Sequence, residues 1–63
     1  MKVNGKPVEY APMTLLEYLE REGYKPAYVV VERGCEIITR AHFGEIQLHE
    51  GDEINILRFM GGG

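Results

Sequence analysis

Covalent cross-links, basic charge and long apolar runs are all scarce in this chain. A single cysteine, Cys35, cannot close an internal disulfide, so no staple makes up for small size. That is the cysteine usage of a cytoplasmic protein, and no basic-then-apolar leader is read at the start. Lys and Arg number 7 against 10 Asp and Glu, a formal net charge of −3. No basic patch interleaved with aromatic residues is present, and net negative charge opposes phosphate-backbone binding, which excludes nucleic acid as the expected partner. No apolar run approaches the roughly 18 residues of a membrane span. At 63 residues there is room for one domain and a modest core, with little left for an enclosed catalytic cavity. Such a chain is better suited to being bound or acted upon than to being a complete enzyme.

What is present reads as a globular domain, 44% hydrophobic and 27% charged. Met1-Lys2-Val3 leads into Asn4-Gly5, a pair that tolerates the positive φ values of a type I′ hairpin turn. Lys6 to Tyr10 is the expected return strand, with Pro7 suited to its start or to an exposed edge. Thr14 and Glu17 have the spacing of a capping box, and Met13 and Tyr18 that of a hydrophobic staple. Leu15 and Leu19 lie one turn apart on one face with Leu16 beside them, and Glu17 and Arg21 are set for an i,i+4 ion pair. Gly23 ends a helix of about nine residues, which needs a sheet under its leucine face.

Ala27 to Val31 is a nearly continuous β-branched run, as in an internal strand. A turn over Glu32 to Cys35 and a short strand over Glu36 to Thr39 follow. Arg40 to Leu48 is irregular, with Ala41, Phe43, Ile46 and Leu48 as inward anchors. Glu50-Gly51-Asp52 makes a turn into a last strand over Glu53 to Met60. The slip in alternation between Ile56 and Leu57 predicts partial cover on both faces. One helix against one sheet gives an α+β domain, residues 1–63. Periodicity leaves the strand order open.

The run Ile54-Asn55-Ile56-Leu57-Arg58-Phe59-Met60 passes directly into Gly61-Gly62-Gly63. Glycine lacks the Cβ that would obstruct a narrow cleft, so this segment suits threading into a partner enzyme. The carboxylate of Gly63 is the candidate reactive group, with Gly61 and Gly62 in the threading role. An appended glycine scar or a frayed terminus is the competing reading. Phe59 and Met60, with Leu57 on the face of Phe59, are candidates to dock into a partner pocket; their other role is sheet packing. Arg58 is either a partner to an acidic rim or a solvated strand residue.

Other chemistry-bearing side chains are poorly placed for catalysis. Cys35 has neither a Cys-x-x-Cys partner nor an adjacent histidine. His42 and His49 do not form a closed metal site with it, so no metal is expected. Asp52 and Glu53 are adjacent, and turn formation suits Asp52 better than paired-acid catalysis. Gly5, Gly34 and Gly51 are isolated turn glycines and not a phosphate loop.

Taken together, Val3-Asn4-Gly5, Thr14-Leu15-Leu16-Glu17-Tyr18-Leu19, the valine strand, Glu36-Ile37-Ile38-Thr39-Arg40, Glu50-Gly51-Asp52 and Phe59-Met60-Gly61-Gly62-Gly63 resemble the bacterial sulfur carriers of thiamin thiazole synthesis. These form the ThiS family of ubiquitin-like β-grasp proteins. The resemblance covers nearly the whole chain. It departs at Glu32-Arg33-Gly34-Cys35, where that family usually has Asn-Gly, and at Phe43, where a tryptophan is common.

The resemblance implies a β-grasp domain, a mixed sheet of four to five strands on one main helix. It implies a carrier and not an enzyme: Gly63 is adenylated by an ATP-dependent, ubiquitin-activating-like (ThiF-like) enzyme, then converted to a thiocarboxylate. Sulfur comes from a donor protein and goes to a ThiG-like thiazole synthase. Leu57, Arg58, Phe59 and Met60 remain the candidate partner contacts on their position beside the tail. No cofactor is held stably, the ATP belonging to the activating enzyme, and the free protein is expected to be a monomer. Carriers for molybdopterin, or for amino-acid or metallophore synthesis, would use the same terminal chemistry. A lysine-linked protein modifier and a non-covalent binding module are the remaining alternatives.

Overall fold

The computed structural model describes residues 1–59. Two short strands open the chain, β1 (Lys2–Val3) and β2 (Lys6–Pro7), antiparallel across Asn4-Gly5. Asn4 has φ 54° and Gly5 φ 81°, the two positive values that a type I′ turn requires. The return strand stops at Pro7, well before Tyr10. With no N–H, Pro7 sits on the outermost strand, where no neighbour needs that donor.

Helix α1 (Leu15–Arg21) follows. Thr14 accepts the Glu17 N–H at 3.2 Å, and the Glu17 carboxylate accepts the Thr14 N–H at 2.8 Å, completing the expected box. That engagement removes the anticipated Glu17–Arg21 pair. Glu17 is held at the helix start, while Arg21 pairs with Glu22 at 3.3 Å and lies over the Tyr18 ring. At the other end Gly23 takes φ 83°. Its N–H donates to Glu20 and the Tyr24 N–H to Leu19, the double bond of a Schellman cap.

Pro26–Tyr28 forms a 3₁₀ turn that takes up Ala27 and Tyr28, so strand β3 is Val29–Arg33. Strand β4 (Glu36–Ile38) returns antiparallel across Gly34-Cys35. Only Gly34, at φ 63°, is left-handed there, as a type II′ turn needs at its first central position. The departure from Asn-Gly therefore changes the turn type and keeps the hairpin. A second 3₁₀ turn, Arg40–His42, leads to Phe43, Ile46 and Leu48, and strand β5 (Glu53–Arg58) completes the sheet. Ala41, expected inward, is exposed on that turn.

The sheet order is β2-β1-β5-β3-β4, with β5 central, parallel to β1 and antiparallel to β3. Alternation along β3 and β5 sends Val29, Val31, Ile54 and Ile56 to the helix side. There they pack with Val3, Leu15, Tyr18, Leu19, Phe43 and Leu48 as one core. Asn4 has a second function here. Its side-chain oxygen accepts the Ile56 N–H at 2.7 Å, extending the edge of β1 past its own last residue. Asp52 accepts the His49 N–H at 2.8 Å, as expected of a turn aspartate, and lies 3.6 Å from the Arg33 guanidinium on β3.

Candidate functional site

A single helix covers a single face of the sheet. Val30, Glu32, Asn55 and Leu57 point the other way, and nothing among the described residues packs over them. Leu57 is 62% exposed directly beside Ile56, which is 5% exposed. The alternation therefore does not slip there, contrary to the expectation of cover on both faces. Ile37 on β4 is 67% exposed on this same outer side, while its neighbour Ile38 turns inward.

The end of β5 carries the apolar surface onward. Phe59 lies just past the strand, and its N–H donates to the Tyr28 carbonyl at 3.0 Å, adding one rung to the β3–β5 ladder. Both rings are nearly half exposed. Tyr28, Val30, Leu57 and Phe59 thus form an apolar area on the outer face, at the end from which Met60 and the glycines continue, while Ile37 stands in register with Glu32 and Asn55. The opposite end of that face is polar. There Asn55 donates to Glu32 at 3.4 Å, Lys2 stands 4.0 Å from Glu53, and a cleft of about 190 Å³ opens between Lys2, Gly5, Glu53, Ile54 and Asn55. These exposed polar pairs add little stability.

Of the residues expected to contact partners, Leu57 and Phe59 stand on this outer face. Arg58 does not. It is opposite Val29 in register, so its side chain leaves toward the helix side, where the guanidinium carbon lies 4.9 Å from the centre of the Tyr24 ring. Among the described residues, no carboxylate pairs with it. Met60, Gly61, Gly62 and Gly63 lie outside the described residues.

Sequence reasoning did not single out Tyr28 or Ile37 as surface groups. Each sits in an apolar run that reads as core, and only the placement of the helix decides which face stays open. Cys35 is exposed at the tip of the β3–β4 turn, and His42 is bonded to the Thr39 hydroxyl at 2.7 Å. No helix is long and apolar enough to cross a membrane among the described residues.

Comparison with known proteins agrees with this geometry. The chain is 37% identical over 62 residues to a thiazole synthase of Magnetococcus marinus and 32% identical to that of Paramagnetospirillum magneticum. It spans only 19% of the length of each, with 97% of its own length matched. It is 34% identical to the sulfur carrier protein ThiS of Bacillus subtilis, covering all of this chain and 98% of that protein. Among solved structures, the crystal structure of the thiamine biosynthesis protein ThiS from Geobacter metallireducens superposes with a TM-score of 0.80. The identity is 33%, with 98% of this chain and 96% of that one covered. A solution structure of a thiamine biosynthesis protein from the same organism gives 0.77 at 36% identity, over 98% and 85% of the two chains. The five-stranded mixed sheet on one helix is the β-grasp arrangement anticipated from the sequence. The ThiS family model matches residues 1–63, the terminal glycines included, and the chain belongs to the ThiS family.

Proposed function

We propose that this protein is a sulfur carrier of thiamin biosynthesis, a co-substrate that delivers sulfur from a thiocarboxylate on Gly63. The observation that carries this is the continuity of an open apolar sheet face, through Leu57 and Phe59, with the glycine segment that the ThiS model matches. A docking face beside a thin, unbranched tail is what a protein needs when its own terminus is the reactant. Thiazole synthase as the recipient is supported by the matched segment's presence within thiazole synthase chains of two organisms.

The chemistry follows from the carboxylate. Its charge is delocalised and it has no good leaving group, so sulfur cannot displace oxygen directly. A Gly63 oxygen attacks the α-phosphorus of ATP in a partner adenylating enzyme, and pyrophosphate departs. The acyl-adenylate then accepts hydrosulfide, or a persulfide sulfur whose S–S bond a thiol afterwards cleaves, at its carbonyl carbon, and AMP leaves with the electron pair of the broken C–O bond. Two accessible steps replace one inaccessible step. The thiocarboxylate keeps a nucleophilic sulfur attached until the synthase takes it, so sulfide is not released. Gly61 and Gly62 allow the tail to pass the entrances of both enzymes. Leu57 and Phe59, joined by Tyr28, supply the docking area, and Met60 adds to it. ATP is consumed by the partner, the carrier holds no cofactor of its own, and it works as a cytoplasmic monomer when free.

The test is intact mass after incubation with the host's adenylating enzyme, ATP and a sulfur source. The expected result is a gain equal to sulfur replacing oxygen, located at Gly63 and absent without ATP. An unchanged mass, while an established carrier is converted in the same mixture, would refute the carrier reading. Lysine-linked conjugates would indicate a modifier instead.

A further inference from the structure

We infer that Tyr24 is a positioning residue for the terminal reaction, acting through Arg58 to seat the last rung from which the tail departs; this rests on the carrier reading above. The last rungs of β5 are held from two sides. On the β3 side the Phe59 N–H is bonded to Tyr28. On the helix side Arg58 lies over the Tyr24 ring at 4.9 Å. A guanidinium within about 6 Å of a ring centroid is attracted by the ring's negative face. This contact replaces the carboxylate partner that Arg58 lacks among the described residues.

Tyr24 is itself firmly placed. It is the residue just beyond the left-handed Gly23, its N–H bonds Leu19 at 2.8 Å, and its side chain packs half-buried against the core. The helix end is thus coupled to the strand end through one ring and one cation. The backbone at Arg58 connects directly to Phe59 on the docking face and then to Met60 and the glycines. With Phe59 held on the Tyr28 rung, rotation at Arg58 would alter the direction in which the chain leaves Phe59. Holding Arg58 against Tyr24 limits that rotation, so a partner docked on the outer face meets Phe59 in one orientation. A group that only orients the reacting end changes the productive fraction of bound molecules. Its loss therefore lowers kcat and leaves KM nearly constant, whereas a group that touches the partner changes KM.

The experiment is a double-mutant cycle on adenylation, read as pyrophosphate release with the host's adenylating enzyme and ATP. The variants are Tyr24→Leu, Arg58→Met and the pair, with Tyr24→Phe as the conservative control. Each single variant is expected to lower kcat about two- to five-fold, the range for an exposed cation–π contact. The double variant should lose no more than either single one, and Tyr24→Phe should retain wild-type kcat. Additive losses, a change confined to KM, or an unchanged kcat in Tyr24→Leu would overturn this inference alone. Arg58 is exposed, so if Tyr24→Leu fails to fold, Arg58→Met still decides, and its unchanged kcat would overturn the inference. Wild-type protein that is not adenylated at all would overturn the carrier reading and this inference with it.

Discussion

Two adjacent residues of β5 should respond oppositely to the same truncation. Leu57 is 62% exposed on the open face and Ile56 is 5% exposed in the core. If Leu57 is covered when a partner docks, truncation to alanine removes three carbons from that contact. At about 0.8 kcal/mol per buried CH₂, scaled by the 62% now exposed, the loss is about 1.5 kcal/mol, roughly tenfold in affinity. In the free protein the same change touches little, and stability should move by no more than about 0.5 kcal/mol. Ile56→Ala instead opens a cavity in the core beside its cross-strand partner Val31 and should cost about 2–5 kcal/mol. A domain of 63 residues has a total stability of only about 3–9 kcal/mol, so that variant loses a large share of it. The assay is paired: urea denaturation of each variant, and the KM for the carrier in ATP-dependent adenylation. Leu57→Ala should raise KM roughly tenfold with an unchanged urea midpoint. An unchanged KM would refute the docking role of this face. A fall in midpoint like that of Ile56→Ala would refute the assignment of faces.

Gly62→Val should fold normally and be adenylated far more slowly, because a branched side chain obstructs a narrow entrance; normal adenylation, read as pyrophosphate release, would sink the threading idea. Asn4→Gly keeps the turn, since glycine accepts φ 54°, but leaves the Ile56 N–H without its 2.7 Å acceptor. It should cost about 1–3 kcal/mol in urea denaturation, and an unchanged midpoint would show that this bond contributes nothing net. Burial, reinforced by nearby Glu22, raises the pKa of Tyr18 above 10.0. The native state therefore holds that proton more tightly, so its contribution is complete below pH 10.0 and is lost as pH rises through the folded value. Tyr18→Phe should show a shallower loss of stability above pH 10.0 than the wild type, measured as urea midpoints across that range.

Short-range signals determined the punctuation of this fold. The Thr14–Glu17 box, the Gly23 stop, the Asn4-Gly5 turn, the edge position of Pro7 and the Asp52 turn each involve groups within a few residues of one another. A sequence reader can see both partners in such cases. The Gly-rich ending, set after an Ile/Leu/Phe strand, likewise named its candidate chemistry through a resemblance that the family match supports.

Tertiary structure decided which side of each strand faces water. A chain with one main helix can cover one face, and that choice made Ile56 core and Leu57 surface although both are apolar. It exposed Ile37 and Ala41 and set Tyr28 beside Phe59. It also sent Arg58 to Tyr24 rather than to an acidic rim, and it withdrew Glu17 from Arg21 by engaging it at the helix start. The neighbouring of β1 and β5, and the second role of Asn4 at Ile56, join residues 51 and 52 positions apart. Local propensity extends over a turn of helix or a pair of strand residues, so contacts at that separation are fixed only when the sheet assembles around its central strand.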